Sequence, residues 1–343
     1  MNIIFRADAS IRIGLGHIMR CLVLAKEFQS QQNTVTFICK NLTGNAISLI
    51  QKNLHSILVL PTVSDFFSDN FYIDCLGSTQ EIDAEQTIHV IPPNADLLIV
   101  DQYALDAIWH HMLRPYAKKI MVLDDLANKN FECDILLNQN LGSSQEQYEN
   151  KIPNACQMLL GCKYALLRPE FADTRQEALL KRDKTQHIRN ILISVGGSDI
   201  DNVTYKILQS LNDDFNIVVL LGKHSPYNQM IEQYADKNNI KVIIDGSNMA
   251  NLMLYADLAI GAAGSTSWER CCLGLPTLLW VTADNQIEVA KSLEKAGASK
   301  IIRNLPKDLQ TLKNNFDLWK YLSHNARTIC DGLGAQRVIN SVA

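Results

Sequence analysis

Short apolar runs alternate with amphipathic stretches along nearly the whole chain, and that alternation leaves few folds open. It is the pattern of parallel strands covered by helices. In the first half the strand-like runs are NIIFRAD (2–8), TVTFICK (34–40), DLLIVDQ (96–102), KIMVLDD (119–125) and DILLNQN (134–140). After Gly16, Ile18, Cys21, Leu22, Ala25 and Phe28 recur at spacings of three and four, which predicts an amphipathic helix. The pattern restarts at NILISVGG (190–197) and continues through FNIVVLLG (215–222), IKVIID (240–245), DLAIGAAG (257–264) and PTLLWVT (276–282). Between the halves, RPEFADTRQEALLKRDKTQHIR (168–189) is rich in charge and poor in strand character. It predicts the domain junction, with Lys181, Arg182, Lys184 and Arg189 on a solvated linker. The expectation is an α/β chain of two Rossmann-like doubly wound domains, 1–168 and 169–343, facing a cleft. Open α/β sheets bind ligands at the carboxyl ends of their strands.

Composition narrows the function. A length of 343 residues suits two domains, and 47% hydrophobic with 20% charged residues suits well-packed ones. A formal net charge of -4 offers no basic field to nucleic acid or to an anionic membrane, so neither is expected as a partner. Bound phosphate would have to be met by local backbone groups and a few side chains. The nine cysteines include no CxxC, and their spacing suits neither a zinc site nor a disulfide framework. The N-terminal residues show no charged region followed by a cleavable apolar stretch, and no apolar run is long enough to span a bilayer. A cytoplasmic, monomeric enzyme is the expectation.

Two stretches carry chemistry. In IGLGHIMR, Gly14 and Gly16 permit tight turns and close approach of a ligand to the backbone, and the helix behind them offers unpaired N–H groups to an anion. This is not a dinucleotide fingerprint: Met19 stands where the third glycine would be, and no acidic residue ends TVTFICK to take a ribose. His17, in the first turn, lies where the helix dipole favours the neutral imidazole that a general base requires. A solvent-facing histidine with no role fits that stretch equally well. The second stretch is AIGAAGSTSWER, where a strand ends in glycine and alanine and a helix opens at Gly264, Ser265 and Thr266 with Glu269 one turn inside. Small residues let a diphosphate reach the helix start, and the carboxylate is placed for ribose hydroxyls. A capped helix after a buried strand is the plainer alternative. Gly196 and Gly197 end the strand that opens the second half in the same way. Asp199 and Asp201 have the D-x-D spacing of metal-dependent sugar transferases, but helix capping explains them better, and no metal is assigned. Tyr103 in DQY and Asn285 in DNQ lie at strand ends, where a sugar contact and ordinary turn chemistry are equally open.

RADASIRIGLGHIMRCLVLA, IVDQY, LDDLANKNFECDILLNQN, GCKYALLRPEF, ISVGGSD, NMANLM and AAGSTSWERCCLGLPTLL occur in this order. The set closely resembles the UDP-2,4-diacetamido-2,4,6-trideoxy-β-L-altropyranose hydrolases of pseudaminic acid biosynthesis. That family looks like the two-domain GT-B glycosyltransferases, adapted to give the sugar to water. The resemblance implies that His17 is the base that activates water. It implies that Gly14, Gly16, Tyr103 and Asn285 line the sugar, and that Glu269 holds the ribose. It further implies that the backbone near Met249 reads uracil, and that Gly196, Gly197, Gly264, Ser265 and Thr266 serve the UDP. It implies inversion at the anomeric carbon with neither metal nor cofactor. Residues 41–95 match none of the motifs and suggest an elaboration beside the sugar site, while the final thirty or so residues read as helical. The likeness to GT-B proteins, not the residues, implies that a last helix packs back on the first domain. A GT-B glycosyltransferase would share the UDP site and add an acceptor surface. A non-catalytic UDP-sugar-binding protein would keep Glu269 and the glycine loops without needing His17.

Overall fold

Alternation along the first strand, β1 (Asn2–Ala7), sorts the two faces of the first sheet: Ile3 and Phe5 pack in one core cluster and Ile4 in the other. The chain is described from a computed structural model that covers residues 1–343 except Leu54, Ser198, Asn212, Asp213, His224, Ser247, Ala343 and the side chain of Asn285. The remaining strands of this sheet are β2 (Thr34–Lys40), β3 (Ser56–Leu60), β4 (Ala95–Asp101), β5 (Ala117–Leu123), β6 (Ile135–Asn138) and β7 (Gln157–Leu160). All pair in parallel, in the order β3-β2-β1-β4-β5-β6-β7. A second parallel sheet comprises β8 (Asn190–Ser194), β9 (Asn216–Leu221), β10 (Lys241–Ile244), β11 (Leu258–Ala262), β12 (Thr277–Trp280) and β13 (Lys300–Ile301), in the order β10-β9-β8-β11-β12-β13. Both sheets are doubly wound, and each reverses direction at one point: between β1 and β4, and between β8 and β11.

The helix Gly16–Ser30 buries Ile18, Cys21, Leu22, Ala25 and Phe28, the stripe read from the sequence. They join Ile3, Phe5 and Phe37 on one face of the first sheet, where the Phe5 and Phe37 rings stack at 4.8 Å. The last helix, Gly334–Val342, adds Ala335, Val338, Ile339 and Val342 to the same cluster. On the opposite face the helices Gln80–Val90 and Ala107–Leu113 cover Ile4, Leu98 and Val100. The chain divides into two compact units, Met1–Leu166 with Ala335–Ala343, and Leu167–Gly334.

Two expectations need correcting. Residues 41–95 are no mere elaboration: they supply the edge strand β3 and the helix Gln80–Val90, whose Asp83 lies inside the fold at 0% exposure. There it pairs with Arg6 at 2.6 Å and Lys40 at 3.0 Å, and accepts the Trp109 indole N–H at 3.1 Å, while Arg6 also meets Asp8 at 2.7 Å. Two cations and two carboxylates thus cancel where no water screens them. The charged segment expected as a solvated linker is in fact the helix Pro169–Lys184. Its Arg182 is 2% exposed and donates to the carbonyls of Met253, Leu254 and Ala256, at the end of the helix Met249–Tyr255. Lys181 donates to Leu254 and Tyr255 beside it. Cations belong at a helix C-terminus, where four carbonyls lack partners, so charge density here marked a cap.

Candidate active site

The turn after β1 is closed by the Gly14 amide donating to the Ser10 carbonyl at 2.8 Å, with Gly14 at φ 73°, where a side chain would be strained. The helix then begins at Gly16 without a side-chain cap, so its first N–H groups are left to other partners. Nothing lies within 4 Å of where a Cβ would stand on Gly14 or Gly16.

His17 follows, 11% exposed at its side chain, and its Nδ1 meets Asp101 Oδ1 at 2.5 Å. Asp101 ends β4, level with Ala7 of β1, so the pair forms at the point where the sheet's order reverses. Arg20, one turn further along the helix, donates to both Asp101 oxygens at 2.6 Å. Burial pushes the Asp101 carboxyl up, but Arg20 and His17 outweigh it and hold the group well below the ordinary carboxylate range. An ionised Asp101 fixes the tautomer: Nδ1 carries the proton and Nε2 of a neutral ring carries the lone pair. The third Arg20 nitrogen donates to Asp125 Oδ2 at 2.6 Å. Asp125 also accepts from the Tyr103 hydroxyl at 2.5 Å and from the Asn140 amide at 2.8 Å. The Tyr103 ring stands edge-on to His17 at 4.5 Å, and Tyr72 packs edge-on to Tyr103 at 5.2 Å.

In the second unit, Gly196 (φ 119°) and Gly197 follow β8 with open space at their Cβ positions. A Cβ on Gly222, after β9, would lie 1.8 Å from the Gly197 carbonyl oxygen, so the backbone is closely packed there. Gly264 is likewise open, and Ser265 and Thr266 begin the helix Thr266–Cys272. Ser265 gives that helix no side-chain cap, which removes the plainer explanation for its hydroxyl. Glu269 projects from the same helix with Oε1 3.5 Å from Arg168, while Oε2 is enclosed without a hydrogen-bond partner. Burial, only partly offset by Arg168, pushes its carboxyl up to about 7. Arg270 beside it donates to the Ala262 carbonyl at 2.6 Å and so fastens the loop after β11. Met249, 7% exposed, starts the helix that Arg182 caps.

The first unit therefore gathers Gly14, Gly16, His17 and Tyr103, and the second gathers Gly196, Gly197, Gly264, Ser265, Thr266 and Glu269 around its own reversal point. Asn285 lies in the short turn of helix Asp284–Gln286, its side chain outside the described residues. Asp199 accepts from the amides of Val203 at 2.7 Å and Thr204 at 3.0 Å, at the start of the helix Val203–Gln209. Among the described residues no cluster of three metal-ligating side chains occurs, and no helix is long and apolar enough to cross a membrane. Asp101, Arg20 and Asp125 were missed by sequence reasoning. Asp101 ends β4, Asp125 lies two residues past β5 and Arg20 sits three residues beyond His17, each a visible signal without its partner.

These features define a GT-B protein. Over 99% of each chain the structure is similar to that of Acinetobacter baumannii MurG, with a TM-score of 0.67 at 16% identity. Residues 190–320 match the glycosyltransferase family 28 C-terminal domain. The chain is 30% identical over 300 residues to the UDP-2,4-diacetamido-2,4,6-trideoxy-β-L-altropyranose hydrolase of Campylobacter jejuni, covering 87% of this chain and 97% of that one. It belongs to that hydrolase's family. An uncharacterized protein of Methanocaldococcus jannaschii is 31% identical over 81% of this chain, which spans only 55% of that relative's length.

Proposed function

We propose that the protein hydrolyses UDP-2,4-diacetamido-2,4,6-trideoxy-β-L-altropyranose to UDP and the free sugar, in the making of pseudaminic acid. The His17–Asp101 pair carries this reading: Asp101 fixes the ring, and the Nε2 lone pair is left for a water molecule. Water oxygen attacks the anomeric carbon as its proton passes to Nε2. The bond from that carbon to the phosphate oxygen breaks, and UDP leaves with the electron pair. Attack opposite the leaving group inverts the anomeric centre, and no metal ion is assigned to the step. Gly14, Gly16 and Tyr103 of the first unit are assigned to the sugar, and so is Asn285. Glu269 takes the ribose hydroxyls, the backbone at Met249 reads the uracil, and Gly196, Gly197, Gly264, Ser265 and Thr266 meet the diphosphate. Donors set against charge that grows in the transition state act in addition to the base, itself worth about 10²- to 10⁴-fold.

One NMR time course with the UDP-sugar, without acceptor or added metal, tests the proposal. Release of UDP with the inverted anomer first supports it, as does loss of turnover in His17→Ala with UDP binding intact. The likeness to family 28 favours a second reading, a glycosyltransferase. Substrate that binds but stays intact until an acceptor is added would decide for that one. Loss of activity in EDTA would overturn the metal-free step.

A further inference from the structure

Arg20 is 8% exposed and spreads one guanidinium over two carboxylates: Nε and Nη2 on Asp101, Nη1 on Asp125. Asp101 orients the base, and Asp125 holds the Tyr103 hydroxyl. We propose that Arg20 is a positioning residue for the hydrolysis, fixing His17 and Tyr103 relative to each other and setting the charge against which His17 takes its proton. This rests on the reading of His17 as the base.

The charge count gives the reason. Asp101 from β4 and the Tyr103 phenol, itself packed on Tyr72, touch the ring; behind them, Arg20 and the Cys21 thiol from its own helix meet Asp101, and Asp125 after β5 meets Arg20 and Tyr103. At the end of β1, Asp8 is already matched by Arg6. With Arg20 present the cluster of Asp101, Asp125 and Arg20 carries one net negative charge, and protonation of His17 brings it to neutrality. Without Arg20 the ring would face two carboxylates and hold a proton to higher pH, blocked before water arrives. Without the Asp125 charge the shift runs the other way. A lysine would restore the charge but cannot bridge two carboxylates in one fixed plane.

The experiment is the pH profile of kcat/KM for wild type, Arg20→Gln, Arg20→Lys, Asp125→Asn and His17→Ala, each checked for fold and UDP affinity. Arg20→Gln is expected to move the acid limb up by about one pH unit and to regain activity at alkaline pH. Arg20→Lys should leave the limb near wild type with a lower kcat, and Asp125→Asn should move it down. A folded Arg20→Gln with an unmoved limb overturns the proposal, because a merely structural arginine lowers activity at every pH alike. Should that variant fail to fold, Asp125→Asn decides alone: a downward shift supports the inference and any other result sinks it. If His17→Ala retains activity the base reading falls and this inference with it. An inactive His17→Ala beside unmoved limbs removes the inference only.

Discussion

Burying the Asp101 carboxylate opposes folding, and the Arg20 guanidinium with the His17 Nδ1–H offsets the cost while leaving it ionised. Asp101→Asn keeps the size and removes the charge, so either tautomer of His17 becomes available. We expect kcat to fall roughly 10²- to 10⁴-fold with UDP affinity unchanged, measured by steady-state kinetics and calorimetry. Glu269 shows the opposite balance, a carboxyl pushed up to about 7 by burial. Its folded form keeps a proton that the unfolded chain releases above about pH 4.5. Stability from this group is therefore present at low pH and lost as pH rises through about 7. Glu269→Gln should then melt higher than wild type at pH 8 and no higher at pH 5, while binding UDP more weakly. A variant that binds UDP as wild type does would remove the ribose role. His17 was legible as a candidate because two glycines precede it. Asp101 was not, because its partner lies 84 residues away and only the pairing of β1 with β4 brings them together.

Among the elements, the interior strands and the edge strand β10 could be read from apolar content alone, whereas the edge strands β3, β7 and β13 could not. Edge strands have one neighbour, so their apolar runs are short or half exposed; SILVL in β3 shows a full residue of burial only at Leu60. The helix Gln80–Val90 was equally hidden, since its buried face carries Asp83 rather than an apolar stripe. Removing that charge leaves Arg6 and Lys40 facing each other without water. Asp83→Asn should cost about 3–5 kcal/mol in urea unfolding, with no change in the pH profile of any surviving activity. A loss below about 1 kcal/mol would mean that solvent reaches the cluster.

At the scale of the whole molecule, the two-sheet architecture followed from alternation, but the return of the chain did not. Nothing in GAQRVINSV says which core receives Ala335, Val338, Ile339 and Val342; only their place beside Phe5 and Phe37 does. Ending the chain after Leu333 strips these four from the first unit, at roughly 1.5–3 kcal/mol for each large apolar side chain. Calorimetry should then show the first unit melting earlier than the second, and a single unchanged transition would refute that assignment.

That returning helix also fixes an order of events during synthesis. Residues 1–166 emerge from the ribosome long before residues 335–343, and until then one face of their sheet lacks part of its cover. The second unit, Leu167–Gly334, is continuous and can close as soon as it is made. The half that carries His17 is therefore begun first and completed last, and a nascent chain stalled between the two would present bare apolar surface to whatever chaperone is at hand.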